Sequence, residues 1–113
     1  SKSISNYKIN IDIRSNQIKE RIIQVETTLN LMPIKDDIEK ISTKIIYATI
    51  IELNEGITDK KEIEKTILIN VPSEIYPELR KIFVFLFESS GFKDIKISNS
   101  VDFQKLYNFK KTQ

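Results

Sequence analysis

Apolar and polar residues alternate one by one through most of the first half of the chain. Tyr7, Ile9, Ile11 and Ile13 are separated by Lys8, Asn10 and Asp12. A period of two sends successive side chains to opposite faces, so this stretch is a strand with one buried face. Arg14-Ser15-Asn16-Gln17 is polar throughout and reads as a turn. From Ile18 to about Met32 the alternation resumes. Ile23, Val25, Thr27, Leu29 and Leu31 share one face, and Ile22, Gln24, Glu26, Thr28 and Asn30 the other. Pro33 cannot donate to a ladder and ends this strand. Lys35-Asp36-Asp37 is the next expected turn. A third strand, over about Glu39 to Leu53, sets Ile41, Thr43, Ile45, Tyr47, Thr49, Ile51 and Leu53 on one face. Ile46, Ala48 and Ile50 make its second face partly apolar, so this strand is covered on both sides or lies in a contact. Short turns between the strands predict an antiparallel meander.

Beyond Asn54-Glu55-Gly56 the period changes. Asp59 followed by Glu62 has the spacing of a helix N-cap and its partner. Ile63, Ile67, Leu68 and Val71 follow at helical intervals, which predicts a helix over about Asp59 to Asn70. Pro72 should end it, because the residue before a proline is pushed out of the α region. A second helix is expected from Ile75–Pro77, with Leu79, Ile82, Phe83, Leu86 and Phe87 as its apolar stripe. Ser89-Ser90-Gly91 should close it, with Gly91 in the left-handed cap and Phe92 sealing the end. Ile95 and Ile97 suggest a short extended piece. Asp102 can cap a last helix through about Lys110, with Leu106 and Phe109 three apart on it. Strands first and helices after define an α+β chain, an antiparallel meander sheet followed by two main helices and a short C-terminal one. At 113 residues it has room for one domain, 1–113.

Composition narrows the chemistry. Cysteine and histidine are both absent, which excludes disulfides, thiolate or imidazole metal ligation, and Ser-His-Asp or Cys-His catalysis. The carboxylate pairs Asp36-Asp37 and Glu62-Glu64 sit in a turn and in a first helical turn, neither of which sets up an acid/base pair. The expectation is no enzyme and no cofactor, and the isolated Gly56 and Gly91 form no phosphate loop. The net charge of +2 comes from interleaved signs. No basic stripe for nucleic acid stands out, and Lys110-Lys111 reads as a solvated tail. No apolar run approaches the roughly 20 residues that span a bilayer, so no membrane insertion is expected. The absence of cysteine fits a reducing, cytoplasmic setting.

Two stretches of the second half resemble the SecB family of protein-export chaperones. Pro72-Ser73-Glu74-Ile75-Tyr76-Pro77-Glu78-Leu79-Arg80 is similar to the family's proline, aliphatic, aromatic, proline and arginine pattern at the start of its long second helix. Gly91-Phe92, followed by Val101-Asp102-Phe103-Gln104-Lys105-Leu106-Tyr107, is similar to its C-terminal pattern. Tyr7 to Asp12 and Asn16-Gln17 resemble its alternating strand and the turn after it, and the resemblance covers about residues 7–109. The family usually carries a further strand before this one, where only Ser1 to Asn6 stand here.

The resemblance implies an ATP-independent holdase that binds unfolded polypeptide in a hydrophobic groove, as a homo-oligomer built as a dimer of dimers. By position it implies Ile9, Ile11, Tyr47, Ile51, Phe83 and Phe87 as groove residues, and Ile63 and Ile67 as oligomer contacts. Each of these also suits an ordinary core position. Arg80 reads as a structural or surface charge. The SecA motor is an implied partner, although the corresponding stretch here, Glu39-Lys40-Ile41-Ser42-Thr43-Lys44, carries mixed charge. The alternative is a dedicated SecB-like partner protein, such as a toxin–antitoxin chaperone guarding one antitoxin.

Overall fold

The computed structural model describes residues 2–3, 7–33, 43–93 and 97–111. Its main sheet has three antiparallel strands in sequence order: β2 (Tyr7–Lys19), β3 (Ile22–Pro33) and β4 (Thr43–Glu52). A second, two-residue parallel pair joins β1 (Lys2–Ser3) to β5 (Phe92–Lys93). Helical turns follow the sheet: α1 (Lys60–Lys65), a π turn (Thr66–Asn70), α2 (Val71–Ser89) and, after β5, α3 (Phe103–Lys111). The α+β order expected from the patterning is the one observed. The turn expected at Lys35-Asp36-Asp37, the start of the third strand from Glu39 and the extended residue Ile95 lie outside the described residues.

The first hairpin differs from expectation. Arg14-Ser15-Asn16-Gln17 is not a turn: β2 runs straight through it, with Ser15 opposite Val25 and Gln17 opposite Ile23. The reversal falls at Glu20–Arg21, so the second strand begins at Ile22 and not at Ile18. Neither turn residue is the Gly or Asn that a two-residue hairpin favours, which hid it from the sequence. A bulge between Gln17 and Lys19 takes up the twist, and the Gln17 side chain donates to the Glu20 carbonyl at 2.9 Å.

The inner face carries the core. Ile23, Val25, Thr27, Leu29 and Leu31 of the central strand are buried. The inward residues of the flanking strands, Ile9, Ile11 and Ile13 on one side and Ile45, Tyr47, Thr49 and Ile51 on the other, are half-buried. α2 lies over this face through Leu79, Phe83 and Phe87. The Phe83 and Phe87 rings stand 4.4 Å apart, and Phe92 meets Phe87 edge-on at 5.0 Å. Burying one such ring is worth about 1.5–3 kcal/mol. Ile82 is half-buried and Leu86 exposed, so the buried stripe of α2 is narrower than expected.

Pro72 does not end the first helix. α1 starts as expected, with the Asp59 carboxylate accepting from the Lys61 N–H at 3.0 Å. It then widens into the π turn, where the Val71 N–H bonds to the Thr66 carbonyl, five residues back. Val71 keeps right-handed helical angles (φ −62°, ψ −54°) although it precedes a proline. The wide turn makes room for a ring that would otherwise meet the Leu68 carbonyl. The second helix therefore begins at Val71, earlier than Ile75, and Pro77 lies in its interior. Its far end matches expectation: Gly91 has φ +94° and donates to the Glu88 carbonyl at 3.2 Å, while Phe92 packs back on Phe87.

α3 is capped by Asp102, whose carboxylate accepts from the Lys105 N–H at 3.0 Å. Its buried residues are Phe103 and Tyr107, whereas the expected pair, Leu106 and Phe109, faces outward. α3 packs on the π turn. The chain measures 53 × 30 × 22 Å, with a radius of gyration of 16.2 Å. A compact chain of this length would have about 13 Å.

Candidate functional site

The sheet and α2 bring most of the sequence-proposed groove residues into one cluster. Ile9, Ile11, Tyr47, Phe83 and Phe87 all meet around Leu29, Leu31 and Leu79. Their exposures divide them. Phe83 is fully buried and Phe87 nearly so, so both are committed to the core. Ile9 and Ile11 on β2, and Tyr47 on β4, lie on flanking strands that α2 does not fully cover. What remains open to a ligand is the apolar border along the two sides of the inner face.

Ile51, Ile63 and Ile67 belong to a second cluster, around Ile23, Val25, Leu53 and Val71. A cleft of about 280 Å³ opens beside it, lined by Ser15, Lys60, Ile63, Glu64, Ile67 and Leu68. Ser15 reaches this cleft because β2 continues through the segment expected to turn. Further apolar surface lies on α2, where Phe85 is 64% exposed beside the exposed Leu86. Sequence reasoning missed Phe85 because it stands off the main helical stripe. The signal was there in a second spacing, Ile82 to Phe85 and Leu86.

The two stretches that carry the family resemblance meet in space. The Tyr76 hydroxyl donates to the Ser98 carbonyl at 2.7 Å, and Arg80 Nε donates to the Ile97 carbonyl at 3.2 Å. The Tyr76 ring also stands edge-on to Phe103 at 6.1 Å. Burial pushes the Tyr76 phenol above its ordinary range, against the pull of the nearby Arg80 guanidinium. These residues hold the segment entering α3 against α2. Their task is architectural: of the two readings of Arg80, a structural or a surface charge, the bond to the Ile97 carbonyl favours the first.

Among the described residues no cluster of acids could hold a metal ion, and no helix is long and apolar enough to cross a membrane.

Comparison with known proteins agrees with this reading of the fold. The family model for preprotein translocase subunit SecB matches residues 2–113. A curated relative from Pelagibacter ubique (strain HTCC1062), named "Putative protein-export protein SecB", is 43% identical over 104 residues. That match spans 92% of this chain and 74% of the relative. On both counts, the chain belongs to the SecB family.

Proposed function

We propose that this chain is an ATP-independent holdase that takes up unfolded polypeptide during protein export, acting in the cytosol as a homo-oligomer. The family match over residues 2–113 supports the export role. The observation that carries the mechanism is the half-open apolar border: Ile9, Ile11 and Tyr47 touch the core yet remain partly accessible. A chaperone of this kind binds the unfolded state and holds it by mass action. Each client side chain seated there contributes up to about 1.5–3 kcal/mol, and repeated weak contacts along an extended client add through multivalency. No nucleotide enters this scheme. Phe83 and Phe87 support the border from beneath and do not touch the client.

The test is binding of a fluorescently labelled, permanently unfolded polypeptide, followed by anisotropy. Wild-type protein should bind it without ATP, and Ile9→Ser with Ile11→Ser should weaken binding about tenfold or more while far-ultraviolet circular dichroism stays native. Binding to a folded polypeptide of equal length should be absent. Failure to bind the unfolded polypeptide, with recognition of one folded partner, would move the function to a dedicated binding protein.

A further inference from the structure

A polar line divides the core of this chain. One cluster, around Leu29, Leu79 and Phe83, meets the middle and far end of α2. The other, around Ile23, Val25, Leu53 and Val71, meets Ile63 of α1 and Ile67 of the π turn. Along the inner face of β3, the step from Val25 to Leu29 crosses Thr27. Along β4, the step from Ile51 to Tyr47 crosses Thr49. Thr27 stands opposite Tyr47 and Thr49 opposite Val25, so the two threonines are diagonal neighbours on one face. Both hydroxyls are buried without a hydrogen-bond partner. Unpaired polar groups weaken a packed layer where they lie, so the two clusters cohere less with each other than within themselves.

The segment over the second cluster is lightly held. Before it, Leu53 is buried, and its N–H donates to the Arg21 carbonyl at 2.7 Å. After it, Val71 and Pro72 are buried at the start of α2. Between these two anchors no residue from 54 to 70 is buried. Ile63 and Ile67, both half-buried, fasten the segment to the second cluster. Clefts open on both of its sides. One, of about 280 Å³, separates Ser15 of β2 from Ile63 and Ile67, and another, of about 260 Å³, lies among Gly56, Ile57, Glu62 and Thr66. Each end of the segment has backbone suited to rotation. Gly56 stands at φ +90°, where a residue without Cβ moves freely. The π turn interrupts the regular helical bonding just before Val71, and such turns are where helices bend.

We propose that residues 54–70 form a flap, which lifts from the sheet as one unit about Gly56 and the π turn while α2 stays seated on the first cluster. Lifting breaks the contacts of Ile63 and Ile67 and few others. The threonine line stops the opening from spreading into the first cluster, and α3, packed on the π turn, marks the fixed end. Lifted, the flap uncovers Ile23 and Val25 and lengthens the accessible apolar face beyond Ile11 and Tyr47. Local openings of this kind lie well below global unfolding in free energy. The flap is a property of the fold and stands whether or not the protein is a holdase.

The chain has no cysteine, so a single buried thiol reports the opening. Val25 and Leu29 are both fully buried, one in each cluster. Val25→Cys should react with a thiol reagent at least about tenfold faster than Leu29→Cys, at a rate unchanged by low urea, because a local opening exposes little surface. Leu29→Cys removes more of the core and so favours global unfolding, which biases the comparison against the proposal. Hydrogen exchange on the unaltered chain gives a second reading. Amides from Ile63 to Asn70 should share one protection factor, at least about tenfold below that of Leu79 to Phe87. The proposal is overturned if Val25→Cys reacts no faster than Leu29→Cys, or if those amides are as protected as the middle of α2. Protection that falls off gradually along the segment would also overturn it, since that is fraying and not the motion of a unit.

Discussion

Thr27 sits fully buried on the central strand, and its hydroxyl has no hydrogen-bond partner. Leaving such a group unsatisfied costs about 1–3 kcal/mol. Thr27→Val keeps the shape and removes the cost, so the urea midpoint should rise, by the equivalent of about 1 kcal/mol. Tyr76 shows the opposite case, a buried hydroxyl that is well used. Folding holds its phenol protonated at pH values where the unfolded chain would release the proton. Its stabilisation is therefore full below about pH 10 and is lost as pH rises through the raised folded value. Tyr76→Phe should lower stability by about 1 kcal/mol at neutral pH, and the gap to wild type should narrow above pH 10. Chemical denaturation at pH 7 and pH 11 checks both. The residues themselves were legible in the sequence as part of a motif, but their partners were not. Tyr76 and Arg80 bond to main-chain carbonyls of Ser98 and Ile97, and a backbone acceptor has no residue type to read.

Elements were legible where local chemistry alone decides them. The alternation of β3 and the cap at Gly91 are set by side-chain period and by a left-handed φ, and both appeared where expected. Gly91→Ala meets no steric obstacle, since a Cβ there would touch nothing within 4 Å. The strain of φ +94° remains, so the variant should lose about 1 kcal/mol of stability in thermal or chemical unfolding. The misread boundaries have a different origin. The polar run from Arg14 to Gln17 lies on an edge strand, where exposure lets polar residues continue a ladder, so polarity there did not mean a turn. Pro72 was read as a helix stop because the rule for the preceding residue assumes α geometry. One π turn changes the register and lets the chain pass. Likewise the true inward face of α3, Phe103 and Tyr107, depends on what it packs against, which its own spacing does not state.

At the scale of the whole molecule, the sheet is covered along its centre and half-open along its sides. The sequence groups Ile9, Ile11, Tyr47, Ile51, Phe83 and Phe87, and all but Ile51 fall in one cluster, because apolar positions of matching period converge on one face. It could not divide them into floor and border, since that depends on how much of the sheet a single helix can cover. The division makes the variants separable. Phe83→Ala should cost about 3–5 kcal/mol and loosen the whole core, seen as a large fall in the unfolding midpoint. Replacing Ile9 and Ile11 should cost less stability and act mainly on client binding. The most direct test of the chaperone reading is dilution of a chemically unfolded, aggregation-prone protein into buffer containing this chain, without ATP, followed by light scattering. The account predicts suppression at near-stoichiometric ratio by wild type, and its loss in folded Ile9→Ser/Ile11→Ser protein. Unhindered aggregation in the presence of well-folded wild-type chain would contradict it.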